Sequence, residues 1–324
     1  MKRSRRTFLQ LAGAAVLPSM PRIARAQAYP SRPVRIIVGF AAGGGQDLMA
    51  RVVGQWLSER LGQQFVIENR PGAAANLATE AVVRAPADGY TVLFVGPPNA
   101  INATLYDRLS FNFLRDIAPV AGISREANIL AVHPSVPATT VPEFIAHAMA
   151  NPGKISMASA GIGSAGHMAG ELFKMMTGVD LAHVPYRGLA PALTDLIAGQ
   201  VHVCFANLPA SIEYVRAGKL RALAVTTTAP SDALPDVPTV AKYVPGYEAS
   251  TLFGLGVPRE TPTAIVELLN REVNAGLLDQ RFQTRVADLG STVLSGSPAD
   301  FGALMAAETE KWAKVIRAGK IKAE

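Results

Sequence analysis

Val34-Arg35-Ile36-Ile37-Val38-Gly39-Phe40-Ala41-Ala42-Gly43-Gly44-Gly45-Gln46-Asp47 is the stretch that decides the fold. Its first five residues are β-branched apart from one arginine, the composition of a short strand covered on both faces. A glycine-rich turn follows. From Asp47 to Leu61, Leu48, Val52 and Trp56 recur every four residues beside Met49, Val53 and Leu57. That spacing predicts an amphipathic helix with a broad buried stripe. Strand, glycine turn and helix in this order form the opening of an α/β unit.

Working outward, Phe65–Glu68 reads as the next strand, Ala74–Ala85 as a helix and Thr91–Val95 as a third strand. Strands separated by helices predict parallel pairing and right-handed crossovers. Gly96-Pro97-Pro98-Asn99 reads as turn chemistry that interrupts an uncharged run from Gly89 to Tyr106. The pattern restarts at Ile129–Val132. A capping box at Thr140–Glu143 precedes strand Ile155–Ala158, helix Ala165–Thr177, strand Leu181–Val184 and helix Ala190–Ala198. Strand Val201–Phe205, helix Pro209–Ala217 and strand Leu220–Thr226 complete this run. After a proline-rich passage come strand Leu252–Val257 and two capped helices, opened by Thr261-Pro262 and by Ser297-Pro298-Ala299-Asp300. The last third has too few strands for a sheet of its own, so it is expected to return and complete the first unit. The expectation is an α/β protein of two domains, each a mostly parallel sheet flanked by helices. Residues 27–126 with 228–324 would form one and 127–227 the other. Crossings near 124–128 and 227–250 would make a hinge over a cleft.

A length of 324 residues fits two domains at about 150 residues each. The net charge of +6 suggests nucleic acid until the charges are located. Lys2, Arg3, Arg5, Arg6, Arg22 and Arg25 fall in the first 26 residues with no acid, so the other 25 basic residues balance the 25 acids. A neutral body offers no basic surface for a phosphate backbone. Ser4-Arg5-Arg6-Thr7-Phe8-Leu9 precedes an uncharged run from Thr7 to Pro21, and Ala24-Arg25-Ala26 carries small residues where a signal peptidase reads. Residues 1–26 therefore read as an export signal of twin-arginine type, with general secretion an open route, and the mature chain as periplasmic. The single cysteine, Cys204, excludes an internal disulfide and a multi-cysteine metal site.

A second junction, Ala158-Ser159-Ala160-Gly161-Ile162-Gly163-Ser164-Ala165-Gly166-His167, repeats strand, loop and helix. Each loop alone reads equally well as a tight turn. One per unit, both at C-terminal strand ends, is where open α/β sheets bind ligands. Helix N-termini there present N–H groups and a favourable dipole to an anion. Neither loop holds Lys or Arg, which suits a carboxylate that must later be released. Gly161, Gly163 and Gly166 also fit the dinucleotide fingerprint, but Asp180 lies before the next strand instead of at its end. There is no P-loop, Ile162 occupies the glycine position of a nucleophile elbow, and the five histidines show no metal-ligand spacing. No metal or cofactor is expected. His167 opens the helix beside the second loop and joins the candidates. Asp47 either touches ligand or stabilises its helix N-terminus.

Tyr29-Pro30, VRIIVGFAAGGGQD (34–47), ENRPGA (68–73), PADGYT (86–91), NPGKI (151–155), HVPYRG (183–188), PALTDLIAGQV (191–201), AGKLRALAVT (217–226) and LPDVPT (234–239) occur in this order. Together they resemble the Bug/TctC family of extracytoplasmic solute receptors associated with tripartite tricarboxylate transporters. The resemblance runs from Tyr29 to the C-terminus. It implies a Venus-flytrap of two α/β domains, monomeric, closing on a small carboxylic acid destined for the membrane components of such a transporter. It places Phe40, Ala41, Ala42, Gly43 and Gly44 of the first loop at the ligand, with Ser159, Gly163 and Ser164 of the second; Ala160 in the same loop joins the candidates. Asn207 falls in a stretch that is often Phe-Asp-Asn in the family and here reads Phe205-Ala206-Asn207. The missing acid argues against an amino-acid ligand and for a dicarboxylate or an aromatic acid. Ala74-Ala75-Asn76-Leu77 stands where a Gly-Gly-x-Ile-like segment is usual, and Leu252 where tryptophan is common. An exported enzyme acting on a carboxylate and a receptor signalling to a sensor protein stay open as alternatives.

Overall fold

The computed structural model describes residues 29–323. The export signal read in residues 1–26 lies outside them. In chain order the first strands are β1 (Val34–Val38), β2 (Phe65–Asn69), β3 (Thr91–Val95) and β4 (Ile117–Glu126). Then come β5 (Asn128–Val132), β6 (Ile155–Ser159), β7 (Leu181–Pro185), β8 (Val203–Asn207) and β9 (Arg221–Val225), and finally β10 (Thr251–Pro258) and β11 (Ser291–Val293). The helices are α1 (Gly45–Leu61), α2 (Asn76–Val83), α3 (Pro97–Leu105), α4 (Phe113–Asp116), α5 (Val141–Ala150) and α6 (Ala165–Thr177). They continue with α7 (Leu189–Ile197), α8 (Leu208–Arg216), α9 (Thr263–Leu278), α10 (Gln280–Asp288) and α11 (Pro298–Gly319).

The strands form two sheets, β11-β4-β10-β3-β1-β2 and β7-β6-β8-β5-β9. Each sheet with its flanking helices is one lobe. The C-terminal third does return to the first lobe, as its shortage of strands required. The sheets are mixed, however, and not mostly parallel. β1 pairs in parallel with β2 and β3, and β6 with β7 and β8, while β10, β4, β11, β5 and β9 pair antiparallel. The reason is topological. β4 carries the chain out of the first lobe and β10 brings it back beside β4, so the two must run in opposite directions. β5 and β9 do the same in the second lobe.

Five elements were hidden in the sequence, the short helix α4 among them. β4 contains Pro119 and Gly122, which read as breakers; both sit where the β4–β10 register shifts, positions at which a sheet tolerates them. Gly96-Pro97-Pro98-Asn99 starts α3 instead of a turn. Proline suits the first helical turn, and the Asn99 side chain accepts the Gly96 N–H at 2.8 Å. α10 and β11 follow α9 after a break at Asp279, whose side chain caps α10.

Only Ala127 separates β4 from β5. The return segment is strapped to it: Asn128 takes hydrogen bonds from and gives them to Thr226, and its Nδ2 donates to the Ala249 carbonyl at 3.1 Å. The lobes also share a core. Phe173, Phe144 and Met157 of the second lobe pack in one cluster with Ile101 and Leu105 of α3 and with Trp312, Val315 and Ile316 of α11. Earlier on α11, Phe301 and Met305 pack on the first sheet. That one helix therefore braces both lobes. Cys204 is buried in the second lobe, where desolvation pushes its thiol up to about 12 and keeps it an unreactive apolar side chain. Among the described residues, no helix is long and apolar enough to cross a membrane.

Candidate functional site

The first glycine-rich loop leaves β1 and enters α1 with Phe40 through Gly44 exposed. Gly43 has φ +87°, a conformation that favours glycine, and Gly44 is the extended N-cap residue. Asp47 sits behind this loop. It is 1% exposed, and its carboxylate accepts the Gly43 N–H at 2.9 Å, Asn69 Nδ2 at 2.9 Å and both Nε and Nη2 of Arg51. Burial alone would raise its pKa, but the hydrogen bonds from Arg51, Gly43 and Asn69 outweigh it and hold the carboxyl below the usual range. Asn69 also donates to the Phe40 carbonyl at 2.9 Å. Asp47 thus fixes the loop from inside.

The second loop joins β6 to α6. Ser164 is the N-cap residue of α6, its hydroxyl accepting the His167 N–H at 3.3 Å. Ser159 is fully buried: its hydroxyl accepts the Gly161 N–H at 3.1 Å and lies 2.7 Å from Nε2 of His183. His167 is buried too, and its Nδ1 accepts the Gly163 N–H at 3.1 Å. The rings of His167 and His183 stack with centroids 3.9 Å apart. Burial, then the neighbouring His183 and Lys174, push His167 down to about 3; burial and Lys174 push His183 down to about 4. Both imidazoles are neutral near pH 7, so the 3.8 Å approach of His167 to Glu171 is not an ion pair. Ala160, Gly161 and Ser164 are half-buried at the loop surface.

The two junctions converge on the crossing between lobes. A Cβ on Gly163 would meet Leu105 of α3 at 2.6 Å, so the second loop abuts the first lobe. A Cβ on Gly166 would meet the Phe205 carbonyl at 2.2 Å, placing α6 against the end of β8. Two residues on, Asn207 donates through Nδ2 to Oε1 of Glu126 at the end of β4. The other oxygen of Glu126 lies 3.8 Å from where Gly45, first residue of α1, would carry a Cβ. Gly45, Glu126 and Asn207 thus link the start of α1 to the end of β8, the strand against which α6 packs.

Glu126 was not among the sequence candidates. It is 5% exposed, and burial, partly offset by Asn207, pushes its carboxyl from 4.5 up to about 7. Also unanticipated is the segment beside the first loop, where Ala73, Ala74 and Ala75 all have positive φ (46°, 49° and 71°). Left-handed backbone is costly for alanine, and Asn102 helps hold it by donating to the Ala74 carbonyl at 2.7 Å. The alanines that depart from the family's glycines are the strained ones. Among the described residues, no group of three or more metal-ligating side chains comes together.

Two α/β lobes joined by adjacent crossing strands, with a glycine-rich helix N-terminus from each lobe meeting at the crossing, define a two-lobed binding protein. The profile of the family described as "Tripartite tricarboxylate transporter family receptor" matches residues 49–321, and the chain belongs to that family. BugT of Bordetella pertussis is 35% identical over 295 residues, 90% of either chain. The structure of Rpa4515 of R. palustris with adipate is 40% identical, covers 89% of this chain and 97% of its own, and superposes with a TM-score of 0.80. MatC of Rhodopseudomonas palustris with bound malate is 30% identical, covers 89% of this chain and all of its own (100%), and gives a TM-score of 0.77.

Proposed function

We propose that this chain is exported to the periplasm, captures a small carboxylic acid between its lobes and delivers it to the membrane components of a tripartite tricarboxylate transporter. The observation that carries this is a glycine-rich helix N-terminus in each lobe, the first linked to the second lobe through the contacts of Glu126 with Gly45 and Asn207. Residues 27–126 with 228–324 form the first domain and 127–227 the second. The N–H groups of Phe40, Ala41, Ala42 and Gly44 and the Ser164 hydroxyl hold the carboxylate, with Gly43, whose N–H is taken by Asp47, shaping the loop and Ala160, Gly163 and Asn207 beside the ligand. Asp47, Ser159 and His167 act from behind, by fixing the loops. The acids held by Rpa4515 and MatC support a ligand of this chemistry.

Titration of the purified protein with adipate, malate, an aromatic acid, a sugar and a polyamine tests this. One saturable site per chain for an acid, recovered chemically unchanged, is the expected result. Turnover of the acid, or tightest binding of the sugar or the polyamine, would overturn it.

A further inference from the structure

A cavity of about 340 Å³, within the range of small-molecule pockets, lies where the chain crosses between the lobes. It is separate from the crevice. In the two sheets, β1 and β6, which carry the glycine-rich loops, lie to one side of the crossing strands β4 and β5, and β11 and β9 lie to the other. Gly290 and Thr292, at β11, wall the cavity on one side, and Thr228 and Ser231, which follow β9, on the other. The cavity therefore sits behind the hinge. Its walls belong to different lobes. Thr292 pairs with Arg125 of β4, while the chain after Ser231 packs Ala233, Leu234 and Val237 on the core of the second lobe.

Arg125 and Glu248 are the titratable residues of the lining. The oxygens of Glu248 are already engaged: Oε1 accepts the N–H and hydroxyl of Ser250 and Nη1 of Arg125, and Oε2 accepts Lys311 at 2.8 Å. Burial alone would raise its pKa, but Lys311 and Ser250 outweigh it and hold the carboxyl below the usual range. Glu308, the other partner of Lys311, is outside the lining. Arg125 spends only Nη1, on Glu248 at 3.3 Å and Ser250 at 3.1 Å; among the described residues its Nε and Nη2 meet no acceptor. Those two nitrogens form the edge that grips an oxyanion with parallel hydrogen bonds. The same edge of Arg51 holds both oxygens of Asp47, and that of Arg115 both oxygens of Asp116.

Hydroxyls donate or accept, so the sign of a ligand here is set by Arg125, which only donates. The Ser231 hydroxyl accepts the Ala233 N–H at 3.4 Å, which leaves its hydrogen to donate, and the exposed Thr228 hydroxyl lines the same wall. A carboxylate has two oxygens, and the arginine edge alone would use both. A phosphoryl group has a third for the hydroxyls.

We infer that this cavity is a second binding site, which takes a phosphoryl group on the Nε–Nη2 edge of Arg125 with Thr228 and Ser231, and that its occupancy is linked to closure over the crevice. Because its walls move with different lobes, a ligand there favours one lobe arrangement, and affinity at the crevice must respond reciprocally. The linkage rests on the crevice being the acid site; the phosphoryl site does not.

Calorimetry at constant ionic strength with inorganic phosphate and with glycerol phosphate tests the site, and the tighter binder tells whether the free ion or an ester is the occupant. Arg125→Lys keeps a charge beside Glu248 but loses the fork, and should weaken phosphoryl binding at least about ten-fold. Thr228→Val, at an exposed position, should weaken it several-fold, and Ser164→Ala should leave it unchanged. Thermal unfolding confirms that the variants are folded. Saturating glycerol phosphate should change the affinity for the crevice acid, and the acid should change that for glycerol phosphate by the same factor. No phosphoryl binding, binding equal in wild type and both folded cavity variants, or binding that Ser164→Ala weakens would overturn the site. Phosphoryl binding that leaves acid affinity unmoved would overturn the linkage alone.

Discussion

Asn207 of the second lobe donates its amide hydrogen to Oε1 of Glu126 of the first, one residue from the point where the chain crosses between them. A hydrogen bond in this place links the two lobes beside the crossing and ties the carboxyl's protonation to the folded state. The unfolded carboxyl titrates near 4.5 and the folded one near 7. Between those values the folded chain holds a proton that the unfolded chain has released, so this group's contribution to stability falls as pH rises through the window.

Glu126→Gln removes that fall. The stability of the variant relative to wild type should grow by on the order of 3 kcal/mol between about pH 4 and about pH 8, read from urea unfolding. His167 and His183 act with the opposite sign: their folded pKa values are depressed, so their contribution is present above pH 6.5 and lost as pH falls toward 4 and 3. Both histidines are shared by the two proteins and cancel in the difference. A pH-independent difference would show that Glu126 titrates normally.

Ser164→Ala should lower stability by about 1 kcal/mol, the usual cost of losing an N-cap. The sequence marked Ser164 as a ligand candidate; the bond to the His167 N–H gives its hydroxyl a structural role as well. The same change should weaken carboxylate binding by about 1.5–3 kcal/mol through loss of a charge-assisted contact. Denaturation and titration of the one variant separate the two effects. Undiminished affinity would remove Ser164 from the ligand contacts.

Asp47→Ala deletes the acceptor for Gly43, Asn69 and Arg51 without touching the exposed loop. Three donors lose this partner, the half-buried Asn69 among them, which should cost about 2 kcal/mol of stability. Ligand affinity should fall with it, because the loop loses its fixed shape. Affinity equal to wild type would mean that the loop is held by its own backbone.

Ala74→Gly should stabilise the protein by up to about 1 kcal/mol. Alanine pays for left-handed backbone at φ 49°, and the relief exceeds the extra freedom glycine has when unfolded. Gly39→Ala should do the reverse, since its Cβ would lie 2.3 Å from that of Ala75. Thermal melts of both variants check the pair; a less stable Ala74→Gly would show that the segment is unstrained.

Both glycine-rich junctions were legible because local chemistry specifies them: β-branched runs, glycines and a helical stripe all lie within about fifteen residues of sequence. The mixed pairing was not, since strand direction depends on which strands carry the chain between lobes. Glu126 was hidden for a related reason. It ends a strand disguised by Pro119 and Gly122, and its neighbours Thr251 and Ser291 are distant in sequence. Asp47 and Ser159 were visible as candidates, but only the structure shows both buried behind their loops.

The central claim, capture of a small carboxylate at the meeting of the two helix N-termini, is tested most directly by calorimetric titration of wild type and Ser164→Ala with the same set of organic acids, a sugar and a polyamine. The account predicts one site per chain for an acid, the ligand recovered unchanged, and weaker binding of that acid to the variant. Tightest binding of the sugar or the polyamine, or an acid bound equally well by both proteins, would contradict it.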